Sequence, residues 1–157
     1  MDIKPMNIHN LRSVIKFIPY VNDIASGREF IFTLKIKDIL PTTNFQLLGE
    51  QLIVGKDNTV GKCDLWLANI PGNFLLSLEL KVGDSGDVKK RKFLQKQVLK
   101  YTDYMRHYFP YDNVYGMGAY KSGQDVKICT YSPLVERTTP MITTELNILK
   151  SKLKSLD

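Results

Sequence analysis

Soft-metal and thiol chemistry have almost nothing to work with in this chain. Of 157 residues, two are cysteine, two histidine and one tryptophan. Cys63 and Cys129 stand alone in stretches of strand-forming residues. That excludes a disulfide framework and a zinc site, and leaves each as a small buried hydrophobe in a reducing, cytoplasmic setting. His9 and His107 are far apart and poorly accompanied, so a histidine base is not expected. No apolar run approaches the roughly 20 residues of a membrane span. Met1 to Asn10 mixes Asp2, Lys4, Pro5, Asn7 and His9 where a signal peptide would carry an apolar core. There is no Walker motif or helicase segment, so ATP is not expected, and there are no internal repeats or low-complexity tracts.

Acidic charge is in deficit too. Sixteen Asp and Glu against 22 Lys and Arg leave a net charge of +6, which favours polyanionic partners. The excess is concentrated: Lys89, Lys90, Arg91, Lys92, Lys96 and Lys100 crowd one stretch. By itself such a cluster is as well explained as a solvated helix face. Beside a hydrolytic site, contacts to phosphates become the better use. A hydrophobic fraction of 43% with 24% charge is that of a globular chain, and the length suits one domain, 1–157.

The pattern along the chain predicts an α/β fold with a mixed sheet flanked by helices. His9–Ile18 has helical spacing that stops at Pro19, and a loop completes an N-terminal segment, 1–27. Arg28–Leu40 carries Phe32, Ile36, Ile39 and Leu40 at helical spacing. It also alternates at Phe30, Phe32, Leu34 and Ile36, so helix and strand compete; helix is preferred. Gln46–Val54, Val60–Ala68 and Phe74–Val82 read as strands, the last two joined by a hairpin turn at Pro71-Gly72-Asn73. A loop, Gly83–Asp87, precedes a helix over about Val88–His107. Strands Val114–Tyr120 and Val126–Tyr131 complete a core of 28–131. A closing helix, Thr143–Leu156, with a Thr-x-Glu start, lies in the C-terminal segment 132–157.

The chemistry sits in the acids that remain. Glu79 and Lys81 flank Leu80 in the most apolar strand, and alternation points both to one face. Burial alone has no use for a carboxylate and an ammonium there, though an edge strand with an ion pair is the plainer explanation. Asp64 falls mid-strand between Cys63 and Leu65, a costly position unless something pairs with it; a metal shared with Glu79 across the hairpin would do so. Gly61, three residues earlier, would admit a close backbone or substrate, or relax a bulge. Gln97 and Tyr101 lie four apart, on one face of a helix. Trp66 alternates with Asp64 and would either stack on a base or fill the core; core is preferred. Two carboxylates and a lysine on adjacent strands are what metal-dependent hydrolysis of a phosphodiester needs.

Gly-x-x-Asp at Gly61–Asp64, Glu-x-Lys at Glu79–Lys81 and Gln-x-x-x-Tyr at Gln97–Tyr101 together resemble motifs II and III and the signature helix motif of the RecB-like branch of the PD-(D/E)XK nuclease superfamily. The stretch from Leu47 through Arg106 is similar to that branch in order and spacing. The resemblance implies a restriction-endonuclease-like core (helix, three strands, helix, strand) and a Mg²⁺- or Mn²⁺-dependent deoxyribonuclease, an endonuclease or an exonuclease. It implies that Asp64, Glu79 and the Leu80 carbonyl hold the cation and that Lys81 positions the nucleophile. Gln97 and Tyr101 would bind phosphate or buttress Lys81, and the basic cluster would contact flanking phosphates. A further acid is implied on the first core helix, where Glu29 is the best match and Glu50 its competitor, Glu50 also being a candidate metal ligand. DNA is the implied partner, and a homodimer is one arrangement that cutting both strands allows. A small stand-alone nuclease would suit a virus, phage or mobile element. The alternative is a non-catalytic DNA-binding module on a nuclease-derived fold.

Overall fold

The computed structural model describes residues 27–56, 59–84, 86–106, 114–131 and 139–156. The expected N-terminal helix at 9–18 lies outside them. The segment that could have been helix or strand is a helix, α1 (Gly27–Ile39), followed by a 3-10 turn, Leu40–Thr42. Burial settles the periodicity: Phe32, Ile36 and Leu40 are buried, while Phe30, Ile31 and Leu34 are exposed. That is a repeat of four, not two.

Five strands follow: β1 (Phe45–Lys56), β2 (Thr59–Asn69), β3 (Phe74–Val82), β4 (Val114–Ser122) and β5 (Asp125–Tyr131). They form one mixed sheet in sequence order, antiparallel except for the parallel β3–β4 pair. Parallel neighbours need a crossover, and α2 (Val88–Arg106) lies within it. Asp87 caps α2, its Oδ1 accepting the Lys90 N–H at 3.1 Å. The expected hairpin turn closes β2 onto β3. Asn69 Oδ1 accepts the Gly72 N–H at 2.8 Å, and Asn73 adopts φ 58°, a left-handed conformation that asparagine tolerates.

Helices cover both faces. On one face α1 and α3 (Pro140–Lys154) pack Phe32, Ile36, Ile142, Leu149 and Leu153 against Leu65, Leu67, Leu76, Leu78 and Leu80. On the other, α2 packs Tyr101 and Met105 against Leu48, Trp66, Ala68 and Leu75. Coverage on both sides explains why β3 is buried from Phe74 through Leu80 instead of alternating. Trp66 is a core residue, fully buried.

The closing helix begins earlier than its pattern suggested. Pro140 takes the first turn, and Thr139 caps it by accepting the Ile142 N–H at 3.3 Å; a threonine followed by proline is the start signal here. Glu145, expected in the Thr-x-Glu start, is instead buried and accepts from Asn44 Nδ2 at 2.9 Å and Asn69 Nδ2 at 3.0 Å. It ties α3 to the ends of β1 and β2. Glu145→Ala strands the buried Asn69 donor and should cost about 1–3 kcal/mol, read as a lower denaturation midpoint at unchanged m-value. An unchanged midpoint would remove the tie from the account of stability. Among the described residues, no helix is long and apolar enough to cross a membrane.

Candidate active site: a carboxylate pair where two strands part

The β2–β3 ladder runs from Asn69–Phe74 to Leu65–Leu78 and stops. Beyond it β2 continues beside β1, and β3 beside β4. At the fork the backbone donors are met by acids of the opposite strand. Asp64 Oδ2 accepts the Leu80 N–H at 2.8 Å, and Glu79 Oε1 accepts the Asp64 N–H at 3.3 Å. In an extended strand the N–H and C=O of one residue point to the same side, so the Leu80 carbonyl also faces the fork. Two carboxylates and a carbonyl thus converge as hard oxygen donors.

The pair is one of like charge. Glu79 is fully buried, and burial first, then the neighbouring Asp64 carboxylate, holds its carboxyl well above the usual range. A like-charge pair of this kind keeps a proton or takes a cation. Asp64 is half-buried. Cys63 sits beneath them with its Sγ 3.3 Å from Ser77 Oγ. Burial, then Glu79, pushes its thiol up, so it is an inert filler and not a nucleophile. Cys63 packs in the same cluster as Trp66, three residues on.

Lys81 is half-buried on the Glu79 side of β3, its Nζ 5.2 Å from the centroid of the Phe93 ring. Phe93 was missed by sequence reasoning, although it lies four residues before Gln97 and eight before Tyr101 and so shares their helix face. Gln97 is half-buried. Tyr101 is buried in the cluster that holds Cys63 and Trp66, and Lys100 Nζ lies 5.8 Å from its ring centroid. The α2 flank carrying the Gln-x-x-x-Tyr pair therefore faces the strands that carry the acids.

The two further acids part company. Glu50 pairs with Leu65 in register and binds Lys37 of α1 at 2.6 Å, on the face opposite Glu79. Glu29 is half-buried in the first turn of α1. Next to it, Arg28 lies 3.8 Å from Asp84, which brings that end of α1 beside the loop after β3. Among the described residues no group of three or more His, Cys, Asp or Glu is assembled as a metal cluster; the fork offers two acids and a carbonyl. Of the basic cluster, Lys89, Lys92, Lys96 and Lys100 are exposed and recur every three or four residues as an outer stripe of α2. Lys90 lies 4.0 Å from Asp87, and Arg91 turns towards β5.

Fold and site together define a three-layer α/β protein with a paired-carboxylate fork in its sheet. Comparison with models of known protein families finds no match, and comparison with curated proteins finds none.

Proposed function

We propose that this chain is a metal-dependent nuclease that hydrolyses phosphodiester bonds in DNA, with a restriction-endonuclease-like core of the PD-(D/E)XK type and its RecB-like branch. The observation that carries this reading is the meeting of Asp64, Glu79 and the Leu80 carbonyl at the end of the β2–β3 ladder, with Lys81 next along the strand. These oxygens fit a hard divalent cation, and a buried carboxyl raised beside a second carboxylate is a place where added positive charge is stabilising. Mg²⁺ or Mn²⁺ held by Asp64, Glu79 and the Leu80 carbonyl would supply Lewis acidity and charge balance at the reacting phosphate.

The chain's own groups do the remainder. Lys81 orients the attacking oxygen and offsets charge on the phosphate. Phe93 limits where the Lys81 ammonium can swing. Gln97 and Tyr101 steady Lys81 or a phosphate oxygen. Lys89, Lys92, Lys96 and Lys100 follow the DNA backbone along α2. Glu29 of α1 is the additional acid of this reading; Glu50 lies with Lys37 on the sheet face opposite Glu79.

A second reading, a non-catalytic DNA-binding module on the same type of fold, draws on the absence of a third clustered acid among the described residues. One experiment separates the two. Linear and circular DNA are incubated with Mg²⁺ or Mn²⁺ and with wild type or Lys81→Met. The nuclease reading expects cutting that EDTA abolishes and that Lys81→Met slows by about 10²- to 10³-fold at unchanged DNA affinity; cutting of the circle identifies an endonuclease. Inert wild-type protein that still binds DNA in a salt-dependent way hands the site to the binding module.

A further inference from the structure

On the other flank of α2, away from the acids, a cavity of about 350 Å³ opens between the helix and the edge strand β5. Arg91, Lys92 and Gln95 line it from α2, Tyr120 from β4, and Lys127 from β5. Three cationic side chains surround this space, and among the described residues no acid lines it. Of the nearby acids, Asp87 caps α2 and faces Lys90, Asp84 faces Arg28, and Asp125 lines a small recess alongside, together with Arg91, Tyr120 and Lys127. The Tyr120 hydroxyl is committed as well, donating to the Asp84 carbonyl at 3.0 Å. Burial, then Asp87 and Asp84, push that phenol up, so it stays protonated.

Arg91 is the telling residue. It lines the cavity beside Lys92 and Lys127. Its Nε is closed off and, among the described residues, has no hydrogen-bond partner, so a ligand in the cavity would be met by the terminal guanidinium nitrogens, whose planar pair suits the oxygens of a phosphate. The cavity exceeds what a bare anion needs and falls in the range of small-molecule sites, ~300–1,000 Å³. Val88, Leu94 and Cys129 supply an apolar wall for the body attached to the phosphate.

We infer that the cavity between α2 and β5 binds the phosphomonoester of a nucleotide, with Arg91 gripping the phosphate, Lys92 and Lys127 balancing its charge, and the apolar wall taking sugar or base. It is separate from the carboxylate fork. Glu79, Gly118 and Cys129 lie in one row across the sheet, two strand spacings or about 10 Å from end to end, with α2 between the two sites. The inference stands whether or not the fork is hydrolytic. A phosphomonoester comes from a free mononucleotide or from the terminus of a polynucleotide, and the chemistry of the grip is the same.

The test is calorimetric titration in EDTA buffer, which keeps cleavage out of the measurement. The ligands are adenosine 5′-monophosphate, adenosine, and a short single-stranded oligonucleotide carrying a 5′-phosphate or a 5′-hydroxyl. The monophosphate should bind at least ten-fold more tightly than adenosine. Arg91→Met and Lys127→Met should each erase most of that preference, and Lys154→Met, an equal charge loss on exposed α3 surface, should leave it intact. A phosphorylated oligonucleotide that outcompetes the mononucleotide assigns the pocket to a chain end; parity assigns it to free nucleotide. Should Arg91→Met fail to fold, Arg91→Lys keeps the charge but removes the planar pair of terminal nitrogens, and a weakened preference is still expected. Equal binding of adenosine and its monophosphate, or a loss in Lys154→Met as large as in Arg91→Met, overturns the inference.

Discussion

Glu79→Gln should abolish cleavage and at the same time make the protein more stable. Gln keeps the acceptor that receives the Asp64 N–H and fills the same volume, so the fork closes as before. It removes the carboxylate a cation needs, and a loss of cutting on the order of 10³-fold or more is expected. The stability gain follows from proton linkage. In metal-free buffer, below the ordinary glutamate range near 4.3, Glu79 is protonated both folded and unfolded and contributes no pH dependence. Above it the unfolded chain ionises, while the folded chain keeps the proton because burial and Asp64 raise its pKa. The native state then binds more protons, so stability falls as pH rises, at up to about 1.4 kcal/mol per unit, until the raised pKa is passed. Glu79→Gln escapes this loss, and its melting temperature should pull further above wild type as pH climbs. Saturating Mg²⁺ should recover part of the wild-type deficit, by about 2.7 kcal/mol at a hundred-fold excess over Kd, and do nothing for the variant. Thermal melts from pH 4 to 9, with and without Mg²⁺, read both effects. A wild-type melting temperature indifferent to Mg²⁺ and Mn²⁺ would sink the metal assignment.

The second large effect concerns the seat of α2. Gly116 and Gly118 sit next to Ser77 and Glu79 in the β3–β4 register, and α2 lies on their bare backbone. A Cβ at Gly116 would stand 2.0 Å from Thr102 Oγ1 and 2.9 Å from Val98 Cγ1. Gly116→Ala must therefore lift the helix or strain it, at about 1–3 kcal/mol, a drop in melting temperature of roughly 2–12 °C. Lifting α2 also carries Phe93 away from Lys81, and Gln97 and Tyr101 with it, so on the nuclease reading cleavage should fall in parallel. Thr102 Oγ1 is buried with no hydrogen-bond partner among the described residues, so Thr102→Ala should cost little alone and recover a large part of the Gly116→Ala loss. A double-mutant cycle with coupling below about 0.5 kcal/mol would mean that the helix is not seated this closely.

Much of the architecture could be read before any coordinates. The three strands from residue 45 to residue 82, the helix after them and the last two strands all followed from local pattern. Turn residues and β-branched or aromatic runs carry that information within a few positions. Helix α1 was open to two readings because Phe30, Phe32, Leu34 and Ile36 satisfy a strand as well as a helix; only the neighbours that bury Phe32 and Ile36 and leave Phe30 and Leu34 outside decide it. The start of α3 was misplaced because Glu145 has the spacing of a capping residue but is spent on Asn44 and Asn69, more than seventy positions away.

The candidate site divides the same way. That Asp64 faces Glu79 was legible, since a tight turn at residues 70–73 fixes the register of the hairpin and local chemistry fixes the turn. That the ladder stops there, that the acids bond to each other's strands, and that Glu50 spends its charge on Lys37 were not. Residue types, their order along the chain and the faces they share are properties of neighbouring positions, and the sequence by itself determines them. The burial that raises Glu79, the orphaned Nε of Arg91 and the cavity beside β5 were decided only by the tertiary structure. Desolvation and unmet hydrogen bonds depend on which distant groups close over a side chain, and no local pattern encodes that.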